Sequence, residues 1–430
     1  MSNMPANDYL SDESHSIQSG VVDASNENPV ENTRKGGYSE QVEAAISVSR
    51  QWYLDSHPKS FTDLVGEFSA GLYGHSEPTI LSALQSAIAH TGLNLGAHTR
   101  YEIEYAQLLC SRFSLEQVRF CNSGTEANLH AIMAARHFTQ RRKVVVFTGG
   151  YHGGVLTFRY EPMPNTVNDT DFVVVEYNNI AAATAAIEQD SGVGAVLVEA
   201  MQGAAGNILG TREFLHAVQA SAKKAGIVFI LDEVQTSRLA PGGLQSILDL
   251  KPDLTTLGKY LGGGLAFGAF GGRKDIMAVF DPRTPNALGH SGTFNNNTLT
   301  MRAGYTGLTK VYTPEAALAH NGRGDVLLGQ LQELCRGTSM AWTGRGTLLA
   351  SHFMKTTVAP IKSIADLDED ESLKELFWLE MLKCGFWTTR RGYLAIILGT
   401  PQASLDRFLG CVGDFLRRYK PLVRYGKVES

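Results

Sequence analysis

Short apolar runs alternate with helical patterns through the middle of the chain, from Arg119 to Gly272. The run from Gly226 to Leu231 is representative, because it is short, continuous and rich in β-branched residues. Such runs predict strands that are buried on both faces of a sheet. Since helical patterns separate the strands, we predict an α/β fold in which a parallel sheet is covered by helices on both sides.

The pattern changes after Asn297, where helical segments such as Thr298–Val311 are followed by predicted strands at Gly344–Phe353 and Arg391–Leu398. This α+β pattern predicts a second, smaller domain, since 430 residues are more than one compact core usually holds. The predicted division is a flexible tail at 1–37, rich in Ser, Asn, Asp and Glu, the N-terminal part of the small domain at 38–75, the large domain at 76–297, and the rest of the small domain at 298–430.

The bulk composition limits the classes of function. The formal net charge is −5, with 43% hydrophobic and 19% charged residues. These values are typical of a soluble globular protein and favour neither nucleic acid nor an anionic membrane as a partner. No apolar run approaches the roughly 18 residues of a membrane span, and the first forty residues contain no apolar signal core. We therefore expect a cytoplasmic protein.

Five cysteines are widely spaced, and none stands in a CxxC or Cys/His pattern that could bind a metal. This spacing favours core thiols in a reducing compartment over disulfides or a metal site. The cysteines are Cys110, Cys121, Cys335, Cys384 and Cys411.

Two residues that suit one cofactor are predicted to lie near strand ends. Asp232 closes the apolar run that begins at Gly226, and Lys259 follows the segment Pro252–Gly258. Open α/β sheets bind their ligands at such ends. A lysine can form a Schiff base with pyridoxal phosphate, and a carboxylate can keep its ring nitrogen protonated. Taken alone, the pair also fits two solvated surface groups.

Two further segments suit a phosphorylated heterocycle. In Val118–Asn128 a predicted strand gives way to a helix, whose unpaired N–H groups, with the hydroxyls of Ser123 and Thr125, could bind a phosphate. The alternative is an ordinary capped helix. Glycines on both sides of Tyr151 could carry its ring into a cleft, where it would stack on the heterocycle. The alternative is a glycine-rich turn with a partly exposed tyrosine.

Six motifs follow one another along the chain: Gly71–His75, Asn122–Asn128, Gly149–Gly153, Asp232–Thr236 with Arg238, Gly258-Lys259, and His290–Phe294. Together they resemble the motifs of the class III (subgroup II) aminotransferases, in the glutamate-1-semialdehyde aminomutase-like branch, and are most similar to those of the β-amino-acid (β-phenylalanine type) aminotransferases. The resemblance spans about Phe61 to Leu416. It implies the pyridoxal-phosphate-dependent transferase fold type I, with a mostly parallel seven-stranded sheet in the large, cofactor-binding domain.

The resemblance also implies roles for individual residues. Lys259 matches the Schiff-base lysine and Asp232 the partner of the pyridine nitrogen, so both are the expected catalytic residues. The other implied cofactor contacts are Ser123, Gly124 and Thr125 around the phosphate, Tyr151 and Val234 on the two ring faces, Gln235 near the ring hydroxyl, and Thr293 on the phosphate of the neighbouring subunit. Thr293 therefore implies a homodimer with shared active sites. Glu199 falls at a strand-end acid of the family, and His152 is interpreted as structural.

An amino-acid substrate needs a cation for its carboxylate, and arginine can bind it through two hydrogen bonds. The candidates are Arg391, Arg100 and Arg50, of which Arg391 alone lies where the family places a substrate arginine, on a C-terminal strand. Each of the three could instead be a solvated or structural arginine.

The leading functional hypothesis is a transaminase that moves an amino group from a β- or ω-amino acid or an amine to a keto acid. The alternative is an aminomutase, which moves the group within one molecule and needs no external acceptor. A dinucleotide oxidoreductase is a third hypothesis, weakened because no GxGxxG motif opens a helix after the first strand. A fourth is a catalytically inactive binding protein of the same fold.

Overall fold

The computed structural model describes residues 38–55, 60–93, 98–158, 169–356 and 360–423, so the predicted tail at 1–37 lies outside the described residues. The helices are α1 (Tyr38–Asp55), α2 (Pro78–His90), α3 (Arg100–Phe113), α4 (Gly124–Thr139), α5 (Ile180–Gln189), α6 (Arg212–Ala225), α7 (Gly243–Leu248), α8 (Lys274–Met277), α9 (Thr298–Thr306), α10 (Pro314–Leu334), α11 (Glu371–Lys383) and α12 (Gln402–Arg418).

The strands are β1 (Thr62–Asp63), β2 (Gln117–Cys121), β3 (Lys143–Phe147), β4 (Gly150–Tyr151), β5 (Thr157–Phe158), β6 (Phe172–Val175), β7 (Val193–Glu199), β8 (Met201–Gln202), β9 (Ile208–Leu209), β10 (Val228–Asp232), β11 (Leu254–Gly258), β12 (Gly268–Gly272), β13 (Met340–Arg345), β14 (Leu348–Phe353), β15 (Phe386–Trp387) and β16 (Tyr393–Ala395). Among the helices that the structure describes, none is both long and apolar enough to cross a membrane.

The central sheet has seven strands in the order β2-β12-β11-β10-β7-β3-β6. All neighbouring pairs are parallel except the two that β12 forms, with β11 and β2. The prediction of a mostly parallel seven-stranded sheet is therefore confirmed. In register, Asp232 on β10 stands between Glu199 on β7 and Thr256 on β11. The ends of three adjacent strands thus meet at one edge of the sheet.

Alternation of side chains along the strands builds a core on each face of this sheet. On β10, Phe229 and Leu231 join a cluster with residues of α5 and α6, such as Ile187 and Phe214. Val228 and Ile230 point the other way, into a cluster with the alanine-rich side of α4. Burial on both faces explains why these runs are continuously apolar.

A smaller antiparallel sheet, β13-β14-β16, lies in the C-terminal part of the chain. Val42 and Ile46 of α1 share its core with residues of α11 and α12, and β1 pairs with β15. The segment predicted as one strand, Gly344–Phe353, spans the end of β13, a turn and β14, because Gly346 has a φ of +55° and reverses the chain. The domain boundaries themselves stay a prediction.

Candidate active site

Asp232 ends β10 as a buried carboxylate held by three donors. Its Oδ2 accepts hydrogen bonds from His152 Nδ1 at 2.7 Å and Asn128 Nδ2 at 2.8 Å, and its Oδ1 accepts from the Val234 N–H at 2.9 Å. Thr256 donates to Asn128 Oδ1 at 2.8 Å, which fixes the orientation of that amide. Both oxygens of the Asp232 carboxyl group therefore act as acceptors, and their donors fix its orientation.

His152 is buried beside this anion. Burial alone lowers the pKa of a histidine, but the hydrogen bond to Asp232 and the charges of Asp232 and Glu199 outweigh that effect, so the pKa of His152 is raised above its ordinary value. The hydrogen bond therefore joins two side chains that are almost fully buried. This pair gives Asp232 a fixed position at the edge of the sheet.

Lys259 follows β11 directly and has a left-handed backbone, with a φ of +54°. Non-glycine residues rarely adopt this conformation, which is common at functional sites. The Lys259 Nζ donates to Gln235 Oε1 at 3.4 Å. Burial lowers the pKa of Lys259 to about 8, and the charges of Arg391 and Arg238 add to the effect, while those of Asp232 and Glu199 oppose it. An appreciable fraction of this amine is therefore uncharged near neutral pH.

Helix α4 begins at Gly124, which lies against Val234, two residues after Asp232. The Ser123 Oγ caps the helix by accepting the Glu126 N–H at 3.2 Å, which leaves the hydroxyl hydrogen available to a ligand. A Cβ on Gly124 would stand 2.7 Å from Val234 Cγ1, so only glycine allows this contact. A Cβ on Gly153 would stand 2.2 Å from Thr125 Oγ1. The helix start, Val234 and the glycine-rich loop are therefore in contact.

Tyr151 stands in that loop with 47% of its surface exposed. Its N–H donates to Glu199 Oε2 at 3.0 Å, and the Gly203 N–H donates to Glu199 Oε1 at 3.2 Å. Burial raises the pKa of Glu199, although the charge of His152 opposes the shift. Glu199 thus fixes the backbone that carries Tyr151.

The proposed substrate and partner residues lie at the surface. Arg391 is exposed in a turn, one residue before Gly392 and two before β16 begins, rather than on a strand as predicted. Its guanidinium carbon is 5.0 Å from the ring centre of Phe68. Arg50, an alternative candidate, donates to Glu375 at 2.6 Å. Thr293 is exposed in the loop before α9.

These residues fit pyridoxal phosphate. A helix start with an available hydroxyl suits its phosphate, the anchored carboxylate suits a protonated ring nitrogen, and a lysine whose pKa is lowered to about 8 suits its aldehyde. The contacts of Asp232 with His152 and Asn128 are not predictable from the sequence pattern. They join residues 80 and 104 positions apart, a separation at which periodicity carries no signal. The only hint was a histidine next to Tyr151.

Residues 41–370 match the profile of the family described as Aminotransferase class-III. An uncharacterized aminotransferase from Schizosaccharomyces pombe is 49% identical over 373 residues, which cover 86% of this chain and 84% of that protein. A glutamate-1-semialdehyde 2,1-aminomutase from Chloroherpeton thalassium is 38% identical over 374 residues, which cover 82% of this chain and 85% of that protein.

A solved structure is also similar. The β-phenylalanine aminotransferase from Variovorax paradoxus has a TM-score of 0.82 to this chain and 48% sequence identity, with 85% of each chain covered.

Proposed function

The chain belongs to the class-III aminotransferases, and on that premise we propose that it moves the amino group of a β-amino acid or ω-amino compound to a keto acid, using Lys259 and Asp232 as catalytic residues. The enzyme depends on pyridoxal phosphate, and its fold is the type I fold of such transferases, as the resemblance implied. Similarity to a β-phenylalanine transaminase supports the substrate class.

The observation that supports this proposal is that Asp232, at the end of β10, and Lys259, just after the neighbouring strand β11, follow each other in the same part of the sheet. Asp232 on β10 is in register with Thr256 on β11, and Lys259 follows that strand. This register brings the carboxyl ends of β10 and β11 to one edge of the sheet, where open α/β folds bind ligands. Three donors hold the anion, and burial keeps the lysine pKa near 8.

When bound, pyridoxal phosphate supplies an electron-poor ring that can accept the charge left when a proton leaves the amino-bearing carbon. Asp232 would hold the ring nitrogen, and the Ser123 hydroxyl with the N–H groups of Gly124 and Thr125 would hold the phosphate. Tyr151 and Val234 would confine the ring between them. Gln235 would lie near the ring hydroxyl, since its side chain already contacts Lys259 Nζ.

Lys259 would act twice, first by holding the cofactor covalently through Nζ and then as the group that accepts and returns the substrate proton. Both actions need the uncharged amine, which burial favours. Arg391 would bind the substrate carboxylate, and its charge adds to the lowering of the lysine pKa.

We further propose that the protein is a cytoplasmic homodimer in which Thr293 reaches the neighbouring cofactor phosphate. Large apolar side chains are exposed on α2, on α3 and around Thr293, as expected for a surface that a second copy covers. They include Ile88, Ile103 and Phe294. The five free thiols suit a reducing compartment.

The proposed function is tested by supplying β-amino acids and ω-amino compounds to the enzyme with pyruvate, with 2-oxoglutarate, or with no acceptor. We expect turnover only with an acceptor, with one new amino acid formed for each donor consumed. Conversion of a substrate to its isomer without an acceptor would establish an aminomutase instead.

A further inference from the structure

Arg391 lies against two aromatic rings. Its guanidinium carbon is 5.0 Å from the ring centre of Phe68 and 5.6 Å from that of Tyr393. The two rings are 6.0 Å apart and tilted by 36° to each other, so they form one aromatic face on this side of the guanidinium. A cation at these distances is attracted to the ring faces.

The two rings come from different parts of the chain. Tyr393 is buried in β16, whereas Phe68 is 42% exposed in a turn of the N-terminal segment. That turn is tied to β16, because the Ala395 N–H donates to the Leu64 carbonyl at 2.8 Å. A Cβ on Gly66 would stand 2.9 Å from the Ala395 carbonyl oxygen, so the turn is also in close contact with the strand.

The backbone around Phe68 is unusual. Glu67, Phe68 and Ser69 all have positive φ angles, of 45°, 52° and 79°. Three successive non-glycine residues in this region are disfavoured by contact of Cβ with the backbone, so neighbouring contacts must hold them there. Asp63 Oδ1 accepts the Gly66 N–H at 3.0 Å.

Further contacts close the same turn. The Asp63 carboxylate also accepts the Val65 N–H at 2.7 Å. The Glu67 carboxylate contacts His75 Nε2 at 2.8 Å. These contacts stabilise the turn that carries the Phe68 ring next to Arg391.

We propose that Phe68 is a positioning residue which, with Tyr393, holds the Arg391 guanidinium at the entrance to Lys259 and so makes the site select amino acids with a carboxylate over simple amines. The proposal rests on the proposed function, since it assumes that Arg391 binds the substrate carboxylate. Burial is the main cause of the lowered pKa of Lys259, and the Arg391 charge adds to it.

A cation held in one place loses less freedom when it binds a carboxylate than a mobile side chain does. An amine without a carboxylate makes no use of the guanidinium, so its binding should not depend on Phe68. The ring also shields one side of the guanidinium from water, which strengthens a charged hydrogen bond on the other side. Loss of the Phe68 ring should therefore weaken the binding of amino acids and leave the binding of simple amines unchanged.

The test uses the holoenzyme with Phe68→Leu, which keeps an apolar side chain but removes the ring, and Phe68→Tyr, which keeps the ring. The donors are 3-amino-3-phenylpropanoate and 1-phenylethylamine, which differ chiefly in the carboxylate. For Phe68→Leu we expect the KM of the amino acid to rise about fivefold to tenfold, as for loss of one partly exposed cation–π contact. The amino acid's kcat and the amine's KM should be unchanged, and Phe68→Tyr should restore the amino-acid KM.

A binding measurement, which needs no turnover, tests the role of Phe68 independently of the proposed function. The dissociation constant of 3-phenylpropanoate, which has no amino group to transfer, is measured by calorimetry with each variant. Phe68→Leu should weaken its binding by the same factor in the native background and have no further effect in Arg391→Met. Phe138, also exposed with an arginine over its ring, gives the matched control Phe138→Leu, which should change nothing.

Equal changes for the amino acid and the amine, or an effect of Phe68→Leu that persists in Arg391→Met, would overturn the proposal, as would no change at all. Absence of transamination with every donor would instead overturn the proposed function, whatever the calorimetry shows.

Discussion

Asp232 accepts three hydrogen bonds, and one of the donors, His152, carries a positive charge when its imidazole is protonated. We predict that His152→Leu leaves the fold intact but weakens pyridoxal phosphate binding by about 10- to 100-fold, the range for loss of a hydrogen bond to a charged group. The dissociation constant is measured by titrating the apoprotein with the cofactor. His90→Gln, an exposed histidine on α2, serves as control, and equal affinities for all three proteins would refute the role of His152.

The amine of Lys259 gives a prediction about pH. Because burial lowers its pKa to about 8, the fraction of uncharged amine rises about tenfold per pH unit below that value and levels off above it. The rate at which the apoprotein captures pyridoxal phosphate should follow the same curve. Since the Arg391 charge contributes to the lowering, Arg391→Met should move the midpoint upward. A midpoint near the ordinary lysine value in the native protein would contradict the environment described for Lys259.

At the scale of single elements, the start of α4 depends on a glycine. A Cβ on Gly124 would approach Val234 Cγ1 to 2.7 Å, so Gly124→Ala must displace either the helix start or Val234. We expect a loss of about 1 to 3 kcal/mol in the free energy of unfolding from overpacking, together with weaker cofactor binding. Thermal unfolding and cofactor titration measure the two effects.

Gly154 provides the matched control for that substitution, because a Cβ there meets nothing within 4 Å. Gly154→Ala should leave both quantities within error of the native protein. If Gly124→Ala behaved like Gly154→Ala, the close contact between the helix start and Val234 would not matter for the site.

The elements themselves were largely predictable, because buried strands and amphipathic helices leave different periodicities. The exact ends of these strands and helices were harder to predict. Glu77 caps α2 by accepting the Ile80 N–H at 2.7 Å, although Ser, Thr, Asn and Asp are the residues most common at that position. The strand predicted at Arg391–Leu398 shortens to β16, since Gly392 has a φ of +87° and turns the chain just before it. Such ends depend on tertiary contacts that a pattern of single residues does not contain.

At the scale of the whole molecule, strand register explains why Asp232 and Lys259 could be paired from sequence. Parallel neighbours bring their ends to the same edge, so two strand-end residues meet without further information. The position of Phe68 over Arg391 could not be derived in the same way. It depends on a left-handed turn packed against a strand more than 300 residues later.

The proposed homodimer gives a prediction for the assembly. Ile103 is 56% exposed on α3, in the surface that a second copy is proposed to cover. A charge buried there without a partner is costly, so Ile103→Glu should shift the protein toward the 46.7 kDa monomer in sedimentation. It should also weaken cofactor binding, because Thr293 would no longer reach the neighbouring phosphate.

Val326→Glu is the control for the assembly, since Val326 is similarly exposed but lies on α10, outside the proposed interface. It should sediment like the native protein. A native protein that sediments as a monomer with full activity would refute the shared active site.

The most direct test of the central claim is borohydride reduction of the holoenzyme followed by mapping of the modified peptide. The account predicts one modified residue, Lys259, and none in Lys259→Ala, which should keep its fold and lose transamination. Label on another lysine, or retained turnover in Lys259→Ala, would contradict it.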